Sequence, residues 1–531
     1  MSRRFAVGYL VVLCLAGAVR VFLGAASLPL FNDVDELAHF DLVGKYASGT
    51  WTTRTKPTLE PETVDITIFF SSFEYLSRAE DFPQGYPPPV WTMPAPLQIS
   101  LYKKHAPEMK TRINHDAYSP PVYYALAGAW YNLARWVGLN EPHAVYAIRF
   151  LNVLLQVALI VAAFGFCRDY FSTAVAITVP AMVALFPSTV FFSISNDALC
   201  PLTVLLALWL LLRWSAKPTD TRLSIAAGLA VSIALLVKLT NIAILPVCLL
   251  VVALRLFPAR RTKSLYREAY FAGLVMLFAV GPVALWMLQN RLTIGDWTGN
   301  AMKVQLLGWT AKPWTAIFDH PLFSWSGELA FWNRFCTSFY GGDMNWHGEP
   351  SMSPLPLKIF AWLSFACLPV GVAAIGIGAY RKQSTRPTGL AGLICPLLVA
   401  GSILFLFVMS VRFDFGHCPY PSREYPYFNS GRLISGALVP LLALFVCGVE
   451  AITGRVKGLT AIVLTLSVLV LVPPQVALWQ QTVPCKANWF HLPLQLPNRQ
   501  RMADDRRPLR VVVAASSSED HERGRQDGRV K

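Results

Sequence analysis

The run AIRFLNVLLQVALIVAAFGF at residues 147–166 holds one ionisable side chain, Arg149, near its head and none after it. A helix rising about 1.5 Å per residue covers the roughly 30 Å of bilayer hydrocarbon in a run of this length. The stretch therefore reads as a membrane span. It is one of eleven: comparable runs lie at about 5–23, 174–192, 199–213, 222–237, 239–256, 269–289, 356–376, 388–410, 431–450 and 458–477. The first follows Ser2-Arg3-Arg4 and precedes Pro29-Leu30-Phe31-Asn32-Asp33, which offers no small-x-small cleavage site, so it is expected to stay as an anchor.

Composition agrees. The 531 residues are 54% hydrophobic and 15% charged, with a mean hydropathy of +0.44, whereas a soluble chain carries about 25% charged residues. The net charge of +15 could suggest a nucleic-acid partner, but the basic residues neither cluster on one face nor alternate with stacking aromatics, so no nucleic acid is expected. The ten cysteines form no CxxC pair and show no metal-ligand spacing. Cys418 and Cys485 share a side if the tail lies outside, without geometry to support a disulfide.

A further apolar stretch, Pro121 to Val137, tests the topology. If it does not cross, the short loops then placed inside carry sixteen basic against four acidic residues, while residues 31–120, placed outside, carry eight basic and twelve acidic. That asymmetry is the positive-inside pattern. The stretch is expected to be a helix at the outer interface or dipping in and returning, with Trp130, Tyr131 and Trp136 suited to that depth. The expected organisation is an all-α polytopic domain over 1–477, with outer segments at 31–146 and 290–355. A hydrophilic tail at 478–531 follows, disordered beyond Arg506, its side left open.

Ionisable groups at a membrane boundary are costly to desolvate and mark candidate sites. Phe31-Asn32-Asp33-Val34-Asp35-Glu36-Leu37-Ala38-His39-Phe40-Asp41 is the densest group. With 34–46 helical and Asp33 as N-cap, Asp35 and His39 share a face and Glu36 lies beside His39. Such a set either holds a divalent ion through Asp35, Glu36 and His39, supplies a carboxylate base, or is a solvated capped helix. His115 and Asp116 precede Pro120-Pro121, at what is either a site or a plain loop-to-helix junction. Arg149, Arg432 and Arg20, each near the outer end of a span, either meet a phosphate or snorkel. Asp197, in the short loop Ser193–Ala198, needs a partner; Lys238 either meets a lipid-linked phosphate or pairs with Asp197. The aromatic stretches Phe331–Cys336 and Ser338–Trp346 suit an interfacial helix or a sugar-stacking surface. Acids and cations gathered on the outer side suit an amphipathic substrate with a lipid tail, a phosphate and a polar head.

These residues together resemble the GT-C superfamily of integral-membrane glycosyltransferases, which includes protein mannosyltransferases, the aminoarabinose transferase acting on lipid A and oligosaccharyltransferase catalytic subunits. They look most like a bacterial family of polytopic membrane proteins of unassigned function. The carrying motifs are Asp35-Glu36-x-x-His39, Pro120-Pro121-x-Tyr123-Tyr124, Arg149, Asn196-Asp197-Ala198, Lys238-Leu239-Thr240-Asn241, Tyr340-Gly341-Gly342-Asp343 and Gly431-Arg432. They span most of residues 1–450 in the expected order. Ser430-Gly431-Arg432-Leu433 lacks the Gln and Tyr that often flank the family's Gly-Arg, and only Asp33-Val34-Asp35 offers an Asp-x-Asp.

The resemblance implies transfer of a sugar from a polyprenyl-phosphate donor to a glycan, lipid or protein acceptor in the cell envelope. The chain would sit among the lipids of the bacterial cytoplasmic (inner) membrane with its N-terminus inside and its active site outside. Asp35 would be the general base, with Asp33 next; Glu36, His39, His115, Asp116, Arg149, Asp197, Lys238 and Arg432 would hold substrate, with a divalent metal ion as a possible cofactor. A transporter or flippase of a lipid-linked or anionic substrate, or a non-catalytic envelope-assembly protein, is the alternative. Transporters, however, place charges near the midplane of repeated halves, and no repeat is evident here.

Overall fold

Ser2 accepts the Phe5 amide through its Oγ and so opens α1 (Arg3–Ser27), which runs unbroken to an extended Leu28. The computed structural model describes residues 2–50, 57–74, 77–259, 264–352, 354–381 and 387–493; the disorder expected beyond Arg506 lies outside the described residues. After α1 come α2 (Glu36–Ala47), α3 (Pro61–Phe70), α4 (Ala95–Thr111) and α5 (Val122–Trp136). Asn140 and Ser172 cap α6 (Glu141–Tyr170) and α7 (Thr173–Ala184) by accepting backbone amides. Then follow α8 (Cys200–Ala216), α9 (Thr221–Val237), α10 (Ile244–Ala259) and α11 (Leu265–Ile294). The second long segment holds α12 (Ala301–Leu306) and α13 (Trp325–Gly341). The chain closes with α14 (Leu355–Ala366), α15 (Leu368–Arg381), α16 (Pro387–Arg412), α17 (Leu438–Thr453), α18 (Leu459–Leu469) and α19 (Pro473–Thr482). The strands described are two antiparallel pairs of two residues each, so the fold is all-α.

Among the described residues, nine helices are long and apolar enough to cross a membrane, and α7 and α9 are shorter apolar helices. Together they fall on the expected spans, and the chain is a multi-pass membrane protein. The span Gly431–Thr453 is 83% buried by its neighbours and Arg4–Ser27 only 22%, so α17 is central and α1 peripheral. Helix pairs α1–α6, α6–α7, α8–α9, α9–α11 and α15–α17 make the main packing contacts.

Three expectations need correction. The span expected at 174–192 stops at Ala184. Phe186, Val190, Phe191 and Phe192 remain buried, but Leu185–Leu199 is turns and 3-10 segments, because Pro187 removes an amide donor, Ser195 Oγ accepts the Asp197 amide and Asn152 of α6 donates to the carbonyls of Phe191 and Ser193. Asp33 does not cap the helix after α1. The N-cap position belongs to Asp35, in the left-handed region at φ 66°, and Asp33 Oδ1 accepts the Val34 amide at 2.8 Å. The sequence expected as tail from 478 continues α19 to Thr482, and Trp489 packs against Phe22 and Phe150 with ring centroids 5.7 and 5.6 Å away. Met1–Phe490 forms one compact unit; of the second, His491–Lys531, only 491–493 are described.

α5 forms as expected and packs against α2, α6 and α9. Trp130 Nε1 donates to the Ala147 carbonyl at 2.7 Å, while Trp136 is exposed.

Candidate functional site

Gly431 brings the site together. Its amide donates to Ser338 Oγ at 2.7 Å, and a Cβ there would lie 2.3 Å from the Phe339 nitrogen, so only glycine lets the start of this span abut the end of α13. The next residue, Arg432, projects its guanidinium among three carboxylates from distant parts of the chain. Nη2 lies 2.9 Å from Asp35 Oδ2, Nε 3.3 Å from Asp343 Oδ2 and Nη1 3.7 Å from Asp197 Oδ2. Asp343 also accepts Ser430 Oγ and faces Arg334 Nη2 at 3.4 Å. Gly342, at φ 77°, sets the turn that presents Asp343; a Cβ there would meet Thr189 Oγ1 at 2.2 Å.

Asp35 Oδ1 lies 3.1 Å from His115 Nε2, which sits 3.4 Å from Asp116 Oδ2. Lys303 of α12 donates to Asp116 Oδ1 at 2.8 Å. Burial pushes both carboxyls up, but cations reverse it: the His115 hydrogen bond with the charges of Arg432 and Lys303 holds Asp35 well below the usual carboxylate range, and Lys303 with His115 does the same to Asp116. Burial lowers His115 and Lys303, yet the carboxylates outweigh it and both end above their ordinary values. Asp33 differs: burial pushes it up to about 7, against the pull of Arg432 and a Ser193 hydrogen bond.

The remaining expected residues are spent on one another. Arg149 donates to Glu36 Oε1 and Oε2 at 2.7 and 2.6 Å and to the carbonyls of Ala25, Leu28 and Pro29 at 3.1, 2.7 and 2.8 Å. Glu36 Oε1 also takes the Ile194 amide at 2.9 Å. Both side chains are 1% exposed or less, so they weld the end of α1 to α2, α6 and the segment after α7 and leave no donor free for substrate. His39 does not share a face with Asp35, which precedes the helix. Its Nδ1 lies 2.8 Å from the Tyr124 hydroxyl, and burial pushes it down to about 4, a neutral imidazole. Lys238 pairs with Asp197 Oδ1 at 2.5 Å, the second of the two roles the sequence allowed it. Asp41 and Lys45 form a buried i,i+4 pair at 2.6 Å, and Asn114 donates to Asp41 at 2.8 Å, fixing the turn that carries His115.

Asp35, Glu36 and His39 are therefore not a metal set, because Glu36 and His39 are turned to other partners. Among the described residues, the group that brings ligand atoms together is Asp35, His115 and Asp116, within 4.8 Å of one another. This group does not fit a divalent ion as it stands. Arg432 and Lys303 occupy one oxygen of each carboxylate, and the four paired carboxylates Asp35, Asp116, Asp197 and Asp343 face the four cations Arg432, Lys303, Lys238 and Arg334, leaving no excess of negative charge among them for a metal.

Lys303 escaped the sequence reading because one lysine in a six-residue helix, 187 positions from Asp116, carries no local signal. Asp343 entered only through the resemblance; its bond to Arg432 spans two loops. Four aromatic residues of α13 turn inward: Phe331, Phe335, Phe339 and Tyr340 are buried, with Phe407, Phe365 and Phe360 at 4.4–5.5 Å. They make packing, not a stacking surface. Cys418 and Cys485 are both free thiols.

A family model described as Dolichyl-phosphate-mannose-protein mannosyltransferase matches residues 120–286, from the start of α5 into α11. No curated protein matches the sequence. Among solved structures, the Archaeoglobus fulgidus oligosaccharyltransferase in complex with Zn and sulfate aligns at 11% identity and a TM-score of 0.43, over 93% of this chain and 54% of that one. The archaeal oligosaccharyltransferase AglB from the same organism, in complex with an inhibitory peptide and a dolichol-phosphate, aligns at 12% identity and 0.41, over 93% and 57%. The chain spans about half the length of these enzymes. The family match covers 167 of the 531 residues and gives what this all-helical, multi-pass chain is similar to, the dolichyl-phosphate-mannose-protein mannosyltransferases.

Proposed function

We propose that this protein transfers a sugar from a polyprenyl-phosphate donor to an envelope acceptor, a glycan, lipid or protein, on the outer face of the bacterial cytoplasmic membrane, with its N-terminus inside. The observation that carries the reading is the Asp35–Arg432 pair, a carboxylate from the first outer segment held 2.9 Å from a guanidinium that opens an apolar span. A donor whose tail lies in lipid would bring its phosphate to Arg432. The matched mannosyltransferase family and the dolichol-phosphate held by the archaeal relative are consistent with such a donor.

In this reading the acceptor hydroxyl attacks the anomeric carbon, the bond from that carbon to the phosphate oxygen breaks, and the configuration inverts. The hydroxyl proton passes to Asp35, and the departing lipid phosphate keeps the electron pair. Without donor, Arg432 and His115 hold Asp35 as a weak base. A phosphate that draws Arg432 away removes one of those charges and raises the basicity of Asp35 where the proton is released. Lys303 and Arg432 supply the positive charge that a divalent ion supplies elsewhere, so no step is routed through a metal. Glu36 and Arg149 hold the base-bearing turn in place; Asp197 and Lys238 set the far side of Arg432. Asp33, at about 7, is the second candidate base, since a pKa near neutrality suits proton transfer.

Membranes with and without the protein, given labelled polyprenyl-phosphate sugars, test the proposal. Label moving from donor lipid to an acceptor supports it. Label that stays on the donor and only changes leaflet points to a flippase and refutes it.

A further inference from the structure

Arg20 lies within the span Arg4–Ser27 and is 2% exposed. Its Nη1 donates to the Phe186 carbonyl, and its guanidinium carbon sits 5.4 Å from the rings of both Phe191 and Phe192. Nε and Nη2 have no hydrogen-bond partner, and among the described residues no carboxylate pairs with this cation. A buried charge left without a counter-ion is costly in protein and in lipid alike.

Two more orphans stand beside it. Gln475 of α19, 2% exposed, spends its amide nitrogen on the carbonyls of Leu185 and Leu471, both at 2.8 Å, and leaves Oε1 unpaired; Trp479 Nε1 is also unpaired. Arg20, Gln475 and Trp479 line one cavity of about 400 Å³, and the rest of its wall is apolar, with Leu15, Val19 and Val472 prominent. Leu15 and Val19 are 62% and 55% exposed, on the peripheral helix α1. The groove thus has an apolar wall that continues onto the outside of the bundle, and side chains that line it own three unpaired donor groups and one unpaired acceptor, all four atoms buried. None of its residues belongs to the Asp35–Arg432 cluster.

We infer that this groove binds one anionic glycerophospholipid from the surrounding bilayer. Two oxygens of its phosphodiester accept from Arg20 Nε and Nη2 and from Trp479 Nε1, and a hydroxyl of its head group donates to Gln475 Oε1. An acyl chain follows Leu15 and Val19. Phosphatidylglycerol has all these groups, whereas phosphatidylcholine has neither net charge nor a head-group donor.

The test is a titration of the full-length, delipidated protein with phosphatidylglycerol or phosphatidylcholine, read by native mass spectrometry. The wild type should take up one phosphatidylglycerol at least tenfold more tightly than phosphatidylcholine. Arg20→Leu should lose that preference, and Trp479→Phe, which removes only one donor to the phosphodiester that both lipids carry, should weaken phosphatidylglycerol about threefold and phosphatidylcholine by no more than that. Equal binding of the two lipids by the wild type, an undiminished phosphatidylglycerol preference in Arg20→Leu, an undiminished phosphatidylglycerol affinity in Trp479→Phe, or displacement of the lipid by millimolar inorganic phosphate would each overturn the assignment. If Arg20→Leu does not fold, Trp479→Phe alone decides.

Discussion

Replacing Arg149 by Met should cost stability and leave the affinity for donor intact. The side chain donates five hydrogen bonds, two of them to Glu36, and both partners are 1% exposed or less. Taking one member of such a pair away leaves a carboxylate buried without its counter-ion, a loss of about 3–5 kcal/mol. In a chain of this size about 2 °C of melting temperature goes with each kcal/mol, so Arg149→Met should melt roughly 6–10 °C below the wild type. Tryptophan fluorescence on heating in detergent reads the transition. Replacing Glu36 by Gln as well removes the stranded charge, so the double variant should recover at least half of the loss. A single variant that melts with the wild type but binds donor more weakly would refute the structural role and return Arg149 to the substrate.

Other consequences follow from individual contacts. Asp33 has its pKa raised to about 7 from an ordinary carboxylate value, so the folded chain holds a proton that the unfolded chain gives up between about pH 4 and 7. Its contribution is fully present below that window and is lost as pH rises through 7; the wild type should therefore melt lower at pH 8.5 than at pH 5.5, and Asp33→Asn should flatten that difference. Gly431→Ala forces a methyl to 2.3 Å from the Phe339 nitrogen and must displace either α13 or Arg432, so donor affinity should fall at least tenfold even in protein that is still inserted. Chelators should leave sugar transfer unchanged, because Lys303 and Arg432 already neutralise Asp116 and Asp35; transfer abolished by EDTA and restored by a divalent ion would contradict this.

The spans were legible because a bilayer imposes its own length on any helix that crosses it, and a run such as 147–166 meets that length almost without charge. α7 was misjudged for the same reason. Phe191 and Phe192 are as apolar as any membrane residue, but they pack against Arg20 in turns that Pro187, the Ser195 hydroxyl and the Asn152 amide make possible, and hydropathy does not distinguish a buried turn from a span. In the site, Asp35, His115, Asp116, Asp197 and Arg432 stood out because charge beside apolar sequence is expensive. Their partners did not. Arg149 could meet a phosphate or snorkel, and only the fold places Glu36, 113 positions away, within 2.6 Å of it. The metal set drawn from Asp35, Glu36 and His39 failed because helical spacing was extended to a residue that stands outside the helix. The true neighbours of Asp35, His115 and Arg432, come from later segments.

Single-turnover transfer by Asp35→Asn tests the central claim most directly, with purified protein, labelled donor and acceptor, and donor binding measured alongside. The account predicts donor binding within a few fold of the wild type and a transfer rate lowered by at least two orders of magnitude, since asparagine cannot take the acceptor's proton. Transfer at the wild-type rate by a variant that inserts and binds donor normally would contradict it.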